Sequence, residues 1–178
     1  TQYHKCLGIR SADIARTKLH LEGNAVLAAL DRKLSYFMDI VKQNGIRAIP
    51  HAAHLVRMMN SSKIRMGLAT SSRKEKMTMV MKETGLLSYF DVIVTGDEVL
   101  NGKPAPDIFL KAAERLGVAP PECLVFEDAV SGVRAAKNAG MQCIAITTTH
   151  SADVLQEADL IINSFEELEN IALCYQPA

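Results

Sequence analysis

The spacing of apolar positions changes near Gly45 to Pro50. Before that point it is helical. Ser11 to about Leu21 reads as a short helix capped by Ser11, and Asn24 is placed to cap a longer one running to Gln43, stopped by Asn44 and Gly45. Two antiparallel helices are expected. Beyond Pro50, helical and strand patterns alternate. A helix near Ala52 to Asn60 precedes an apolar strand Ile64 to Ala69, a helix Arg73 to Thr84 closed by Gly85, and a strand Val92 to Val94. A helix Pro106 to Leu116, a strand Leu124 to Phe126, a helix Gly132 to Ala139, and strands Cys143 to Ile146 and Leu160 to Ile162 follow. Short apolar strands separated by helices of this length imply βαβ crossovers. The expected class is therefore α/β, a mostly parallel sheet with helices on both faces.

Composition narrows the function. The 178 residues carry 20 Lys+Arg against 20 Asp+Glu and are 48% hydrophobic, which excludes a disordered or highly charged chain. A formal charge of zero offers no broad attraction for nucleic acid or anionic lipid, so neither is expected as a partner. A small anionic ligand would have to be held by a few local groups. No apolar run is long enough to cross a bilayer, and Thr1 to Lys5 lack the apolar stretch of a signal peptide. A soluble, cytoplasmic protein is expected. Cys6, Cys123, Cys143 and Cys174 are scattered without a CxxC pair, so reduced thiols are expected, with Cys123 inside a buried strand. The chain starts at Thr1 rather than Met, which reads as a processed, trimmed or internal piece.

In parallel-sheet folds, ligands lie beyond the carboxyl ends of the strands. Three polar groups occupy such places. Thr70, Ser71 and Ser72 sit where a strand gives way to a helix, so their hydroxyls and the free helix N–H groups can cradle a phosphate or simply cap the helix. Lys103, between Gly102 and Pro104, is presented on a stiff loop, as a ligand to an anion or as a solvated turn residue. Gly96 to Lys103 does not match a nucleotide-binding loop, since one residue too many separates the glycines and Pro104 replaces the Ser or Thr. Glu127 and Asp128 follow the apolar run Cys123 to Phe126. Adjacent carboxylates there need compensation, which Mg²⁺ with waters and a substrate phosphate would supply; otherwise Asp128 caps the next helix and Glu127 is solvated. His51 and His54 lack a third ligand, and the methionines around the first strand read as core filler. No Gly-x-Ser-x-Gly elbow is present.

Taken in order, Thr70-Ser71, Gly102 to Phe109, and Val125-Phe126-Glu127-Asp128-Ala129-Val130-Ser131-Gly132-Val133 resemble the haloacid dehalogenase (HAD) superfamily of phosphotransferases. The resemblance is nearest to the helical-cap subgroup that includes β-phosphoglucomutase. It implies a Rossmann-like core at 49–178 and a partial helical cap at 1–48. It also implies that Thr70 and Ser71 hold the transferring phosphoryl group and that Lys103 neutralises it. Glu127 and Asp128 would then bind Mg²⁺. The substrate would be a small phosphorylated metabolite, a sugar phosphate or a nucleotide, hydrolysed through an aspartyl-phosphate.

The family's nucleophile lies in an Asp-x-Asp loop after a first core strand. No Asp-x-Asp occurs in these 178 residues, so the first core strand and nucleophile are expected upstream of Thr1 and the chain alone is expected to be inactive. The absent strand would be central, leaving its neighbours unpaired or closed together, with an edge that favours association. The turn Leu7-Gly8-Ile9-Arg10-Ser11 resembles the substrate-facing cap turn, with Ser11 where the hexose mutase has arginine. Arg10 is the nearest cation for a second substrate phosphate, or else a solvated residue before a helix. Hydrolysis is favoured, with a phosphomutase and a truncated, non-catalytic phosphate binder as alternatives.

Overall fold

A computed structural model describes residues 6–168. Two helices come first, α1 (Ser11–Lys18) and α2 (Gly23–Asn44), packed on each other. Their N-cap positions are Arg10 and Glu22, so Ser11 and Asn24 lie inside the helices rather than capping them. The Ser11 side chain instead ties α1 to α2, because its Oγ accepts a hydrogen bond from Lys33 Nζ at 2.6 Å. Gly45, at φ 68°, ends α2 where a side chain would be strained.

The α/β part runs α3 (Ala52–Ser61), β1 (Gly67–Thr70), α4 (Lys74–Glu83), β2 (Val92–Thr95), α5 (Asp107–Leu116), β3 (Leu124–Glu127), α6 (Val130–Asn138), β4 (Gln142–Ile146) and β5 (Leu160–Ile162). Each expected strand is present, with shifted ends. The first begins at Gly67 rather than Ile64, because Lys63 turns the chain at φ 57° and leaves Ile64 half-exposed. Cys123 lies just before β3 and is only partly buried, with its Sγ donating to Ala119 O.

All strand pairs are parallel, but they form two sheets, β1-β2 and β3-β4-β5. Among the described residues β1 and β3 each have a strand on one side only. Both line a cavity of about 730 Å³, β1 through Leu68, Ala69 and Thr70, and β3 through Phe126 and Glu127. Of the two outcomes expected around an absent central strand, the neighbours have stayed apart.

Helices bridge the two sheets: α5 packs on β1 and β2, α6 on β3 and β4, and α5 touches α6. In α5 the buried residues Ile108, Phe109, Ala112 and Ala113 fall on one helical face. In α6, Ala135 and Ala136 are fully buried, and their small side chains let the helix approach closely. Met77 and Met81 join Leu86 in a cluster beside β1 and β2, as expected of core filler. Cys143 is fully buried, and its thiol is pushed up to about 12, first by burial and then by the charges of Glu127 and Asp159, so it is no nucleophile.

Two outcomes test this packing. Ile108→Ala, at a site 2% exposed, should lower unfolding free energy by about 2–5 kcal/mol in urea titration. Asp159 accepts hydrogen bonds from Lys137 Nζ at 2.6 and 2.7 Å and from the Cys143 N–H at 2.7 Å, which hold its carboxyl below the usual value. A depressed carboxyl stabilises the fold above its unfolded pKa, and that contribution is lost as pH falls through the folded value. Asp159→Asn should therefore flatten the loss of stability below about pH 4, read as melting temperature against pH.

Candidate active site

Thr70 ends β1, and its Oγ1 accepts the Ser72 N–H at 3.2 Å. The hydroxyls of residues 70–72 do not cap α4. Its N-cap is Arg73, and the Lys74 N–H is instead taken by Asp97 Oδ2 at 3.0 Å, from the loop after β2. The Ser71 hydroxyl donates to Gly8 O at 2.7 Å, so it fastens the turn before α1.

Lys103 is no solvated turn residue: it is 7% exposed. Its Nζ pairs with Glu127 Oε1 and stands 4.6 Å over the Phe109 ring. The Lys103–Pro104 peptide bond is cis. Glu127, the last residue of β3, is buried with it, and its Oε2 accepts the Asp128 N–H at 3.2 Å. Gly132 in α6 gives this carboxyl its room, because a methyl group there would overlap it.

Asp128 does not cap α6 either. Ala129 holds that position, and one Asp128 carboxylate oxygen accepts the Thr149 hydroxyl. The ring Nδ1 of His150 lies 3.0 Å from Asp128 O. Sequence reasoning misses Thr149 and His150, which belong to no motif. Their one signal is position, since they follow β4 as Glu127 and Asp128 end β3. Among the described residues no group of three His, Cys, Asp or Glu is placed to hold a metal. Glu127 and Asp128 are thus two hard oxygen donors that would need water or substrate to complete a cation's shell. His51 sits at the N-cap of α3 with Nε2 3.9 Å from Glu166, far in role from any zinc site.

Arg10 departs most from expectation. All five of its N–H donors are engaged. Nε and one Nη2 donor reach Asp13 at 2.7 and 3.1 Å. The others reach the carbonyls of Gly96 at 3.4 Å, Val99 at 2.9 Å and Leu100 at 3.0 Å. No donor remains for a substrate phosphate, so the substrate role expected of Arg10 is not what this geometry offers. Its neighbours are shaped around it: a Cβ on Gly102 would lie 2.6 Å from Arg10 Nε, and one on Gly96 3.3 Å from Arg10 Cδ.

Thr70, Ser71, Lys103, Glu127 and Asp128 all line the same cavity, with Arg10 at its wall. The three polar groups picked from separate stretches of sequence therefore meet at the carboxyl ends of β1 and β3. A cation, hydroxyls, helix N–H groups and two carboxylates at one rim can hold a phosphoryl group and balance its charge.

Comparison with known proteins bears on this geometry. The chain is 36% identical over 117 residues to validoxylamine A 7'-phosphate phosphatase of Streptomyces hygroscopicus subsp. limoneus, covering 66% of this chain and 55% of that protein. It is 35% identical over 144 residues to the phosphorylated carbohydrates phosphatase of Thermotoga maritima, covering 79% and 64%. The chain thus spans a little over half to just under two thirds of these relatives. Among solved structures, CbbY from Rhodobacter sphaeroides in complex with xylulose-(1,5)bisphosphate superposes with a TM-score of 0.83 at 28% identity, covering 94% of this chain and 79% of that one. The profile of haloacid dehalogenase-like hydrolases matches residues 1–146, and with the relatives and the shared fold it places this chain in the haloacid dehalogenase-like hydrolase family.

Proposed function

We propose that this chain belongs to a Mg²⁺-dependent phosphatase that hydrolyses a small phosphate monoester, a sugar phosphate or nucleotide, in the cytoplasm. The observation that carries the reading is the buried Lys103, paired with Glu127 and sharing one cavity with Thr70 and Asp128. In this reading residues 1–48 are part of a cap and 49–178 the core. The nucleophilic aspartate comes from residues upstream of Thr1 and forms an aspartyl-phosphate that water then cleaves.

The side chains divide the work. Thr70 Oγ1 already accepts from the Ser72 N–H, which leaves its own proton for a phosphoryl oxygen. The Ser71 hydroxyl is spent on Gly8, so Ser71 contributes through its backbone N–H. Lys103 offsets the negative charge that collects as the phosphoryl group moves. Asp128, oriented by Thr149, and Glu127 are the hard oxygen ligands that fit a bound Mg²⁺. The ion's contribution, when bound, is to neutralise the phosphoryl oxygens.

Arg10 acts at a distance from the chemistry. It ties the turn before α1 to the carbonyls of 96–100, the segment that leads into Lys103. The same turn is bolted to the β1 loop through Ser71 and to the β3 loop through Ser131 Oγ, 3.4 Å from Leu7 O. With its donors spent, Arg10 gives no support to a second substrate phosphate, and hydrolysis is favoured over phosphomutase chemistry.

The chain extended upstream should hydrolyse p-nitrophenyl phosphate with Mg²⁺ and lose that activity on chelation. Asp128→Ala or Lys103→Met should lower kcat by roughly 10²–10³; unchanged turnover in either would reject that residue's role, and phosphate binding without turnover at any length would mark a non-catalytic binder. Arg10→Ala should lower kcat more than it raises KM, and Arg10→Lys should not restore it, because an ammonium cannot span Asp13 and three carbonyls. Full rescue by lysine would show that charge alone matters there.

A further inference from the structure

The chain is neutral as a whole, yet its cavity is not. Six cationic side chains line it, Arg10, Arg16, Lys33, Arg73, Lys76 and Lys103, against the carboxylates Asp97, Glu127 and Asp128. Four of the six have acidic partners. Lys103 pairs with Glu127, and Arg10 and Arg16 reach Asp13 at 2.7 and 3.8 Å. Arg73 lies 3.1 Å from Asp31, 3.7 Å from Glu75 and 3.9 Å from Asp97.

Lys33 and Lys76 differ. Among the described residues, neither ammonium has a carboxylate within ion-pairing distance. Lys33 Nζ donates to the Ser11 hydroxyl, and Lys76 Nζ stands 4.3 Å over the Phe37 ring. Phe37 lies one helical turn beyond Lys33 on α2, so the ring under Lys76 sets the two cations side by side. Burial, followed by the charge of Lys33, pulls the Lys76 ammonium below its usual value. A hydroxyl and an aromatic face are weak compensation for two neighbouring positive charges, and an anion between them would relieve both the repulsion and the desolvation.

We propose that Lys33 and Lys76 form a second anion-recognising subsite, and that the substrate is a phosphate monoester carrying another anionic group, a carboxylate or phosphate, at its far end. This rests on the phosphatase reading above and deepens it. The phosphoryl end lies among Thr70, Lys103 and Asp128, at the ends of β1 and β3, while the second subsite is built by α2 and α4 on the same cavity. At about 730 Å³ the cavity suits a small metabolite with a polar group at each end. Leu30, Leu34 and Phe37 on α2 give the span between them an apolar wall.

Matched substrates on the full-length enzyme test it. 3-Phosphoglycerate and glycerol 3-phosphate differ only in a terminal carboxylate, and fructose 1,6-bisphosphate and fructose 6-phosphate only in a second phosphate. In at least one pair, kcat/KM should favour the doubly anionic member at least tenfold, and the preference should shrink with ionic strength. Lys33→Met and Lys76→Met should each cut that ratio at least fivefold, whereas Lys76→Arg should keep it. Hydrolysis of both members at equal efficiency overturns the subsite and leaves the phosphatase reading standing, as does a ratio that neither methionine variant moves. Hydrolysis of none of the four, or of p-nitrophenyl phosphate, overturns the phosphatase reading and this inference with it.

Discussion

Lys103 and Glu127 meet from opposite sides of the molecule, one on the loop leading into α5 and the other at the end of β3, with side chains only 5% and 9% exposed. Each would be costly alone in that setting. Losing one partner of such a pair strands the other charge at about 3–5 kcal/mol. The pair therefore specifies how the β1-β2 sheet, carried by α5, sits against the β3-β4-β5 sheet, carried by α6. Gly132 belongs to the same constraint, since only a residue without a side chain leaves space for the Glu127 carboxyl. Every other feature of the rim is arranged around this contact: Asp128 is placed by the strand end that delivers Glu127, and Thr70 faces it across the cavity.

The turn before α1 is a second organising element. It meets the loops after β1, β2 and β3 through Ser71, the carbonyls of 96–100 and Ser131, so one short segment touches every loop that carries a functional side chain. Gly8, at φ 81°, makes that approach feasible, because a Cβ there would lie 2.7 Å from the Ala129 methyl. A residue that reads as a substrate cation in one dimension is a structural clamp in three. Arg10 has five donors in a rigid plane, and a loop rich in exposed carbonyls and lacking side chains at Gly96 and Gly102 accepts them all.

The elements are legible in the sequence because their signals are local. Apolar spacing gives α5 its buried face at Ile108, Phe109, Ala112 and Ala113, and the turn residues Gly45 and Gly117 end helices at φ 68° and 65°. The caps mislead for a related reason: Ser, Thr and Asp are good caps in isolation, yet here Ser11, Ser71 and Asp128 answer to partners far along the chain. The N–H groups of α4 are served by Asp97, 23 residues from Lys74, a choice that no window of sequence contains.

The sequence by itself determined the α/β class, the membership suggested by Thr70, Lys103, Glu127 and Asp128, and the order in which strands deliver those residues. These depend on periodicity and on which residue follows a strand. The tertiary structure alone decided that the strands divide into two sheets, that Arg10 is consumed by carbonyls, and that Lys33 and Lys76 share one place without a carboxylate. Those outcomes depend on distances between segments tens of residues apart, and the energy of a charge is set by what folding brings within a few ångströms of it.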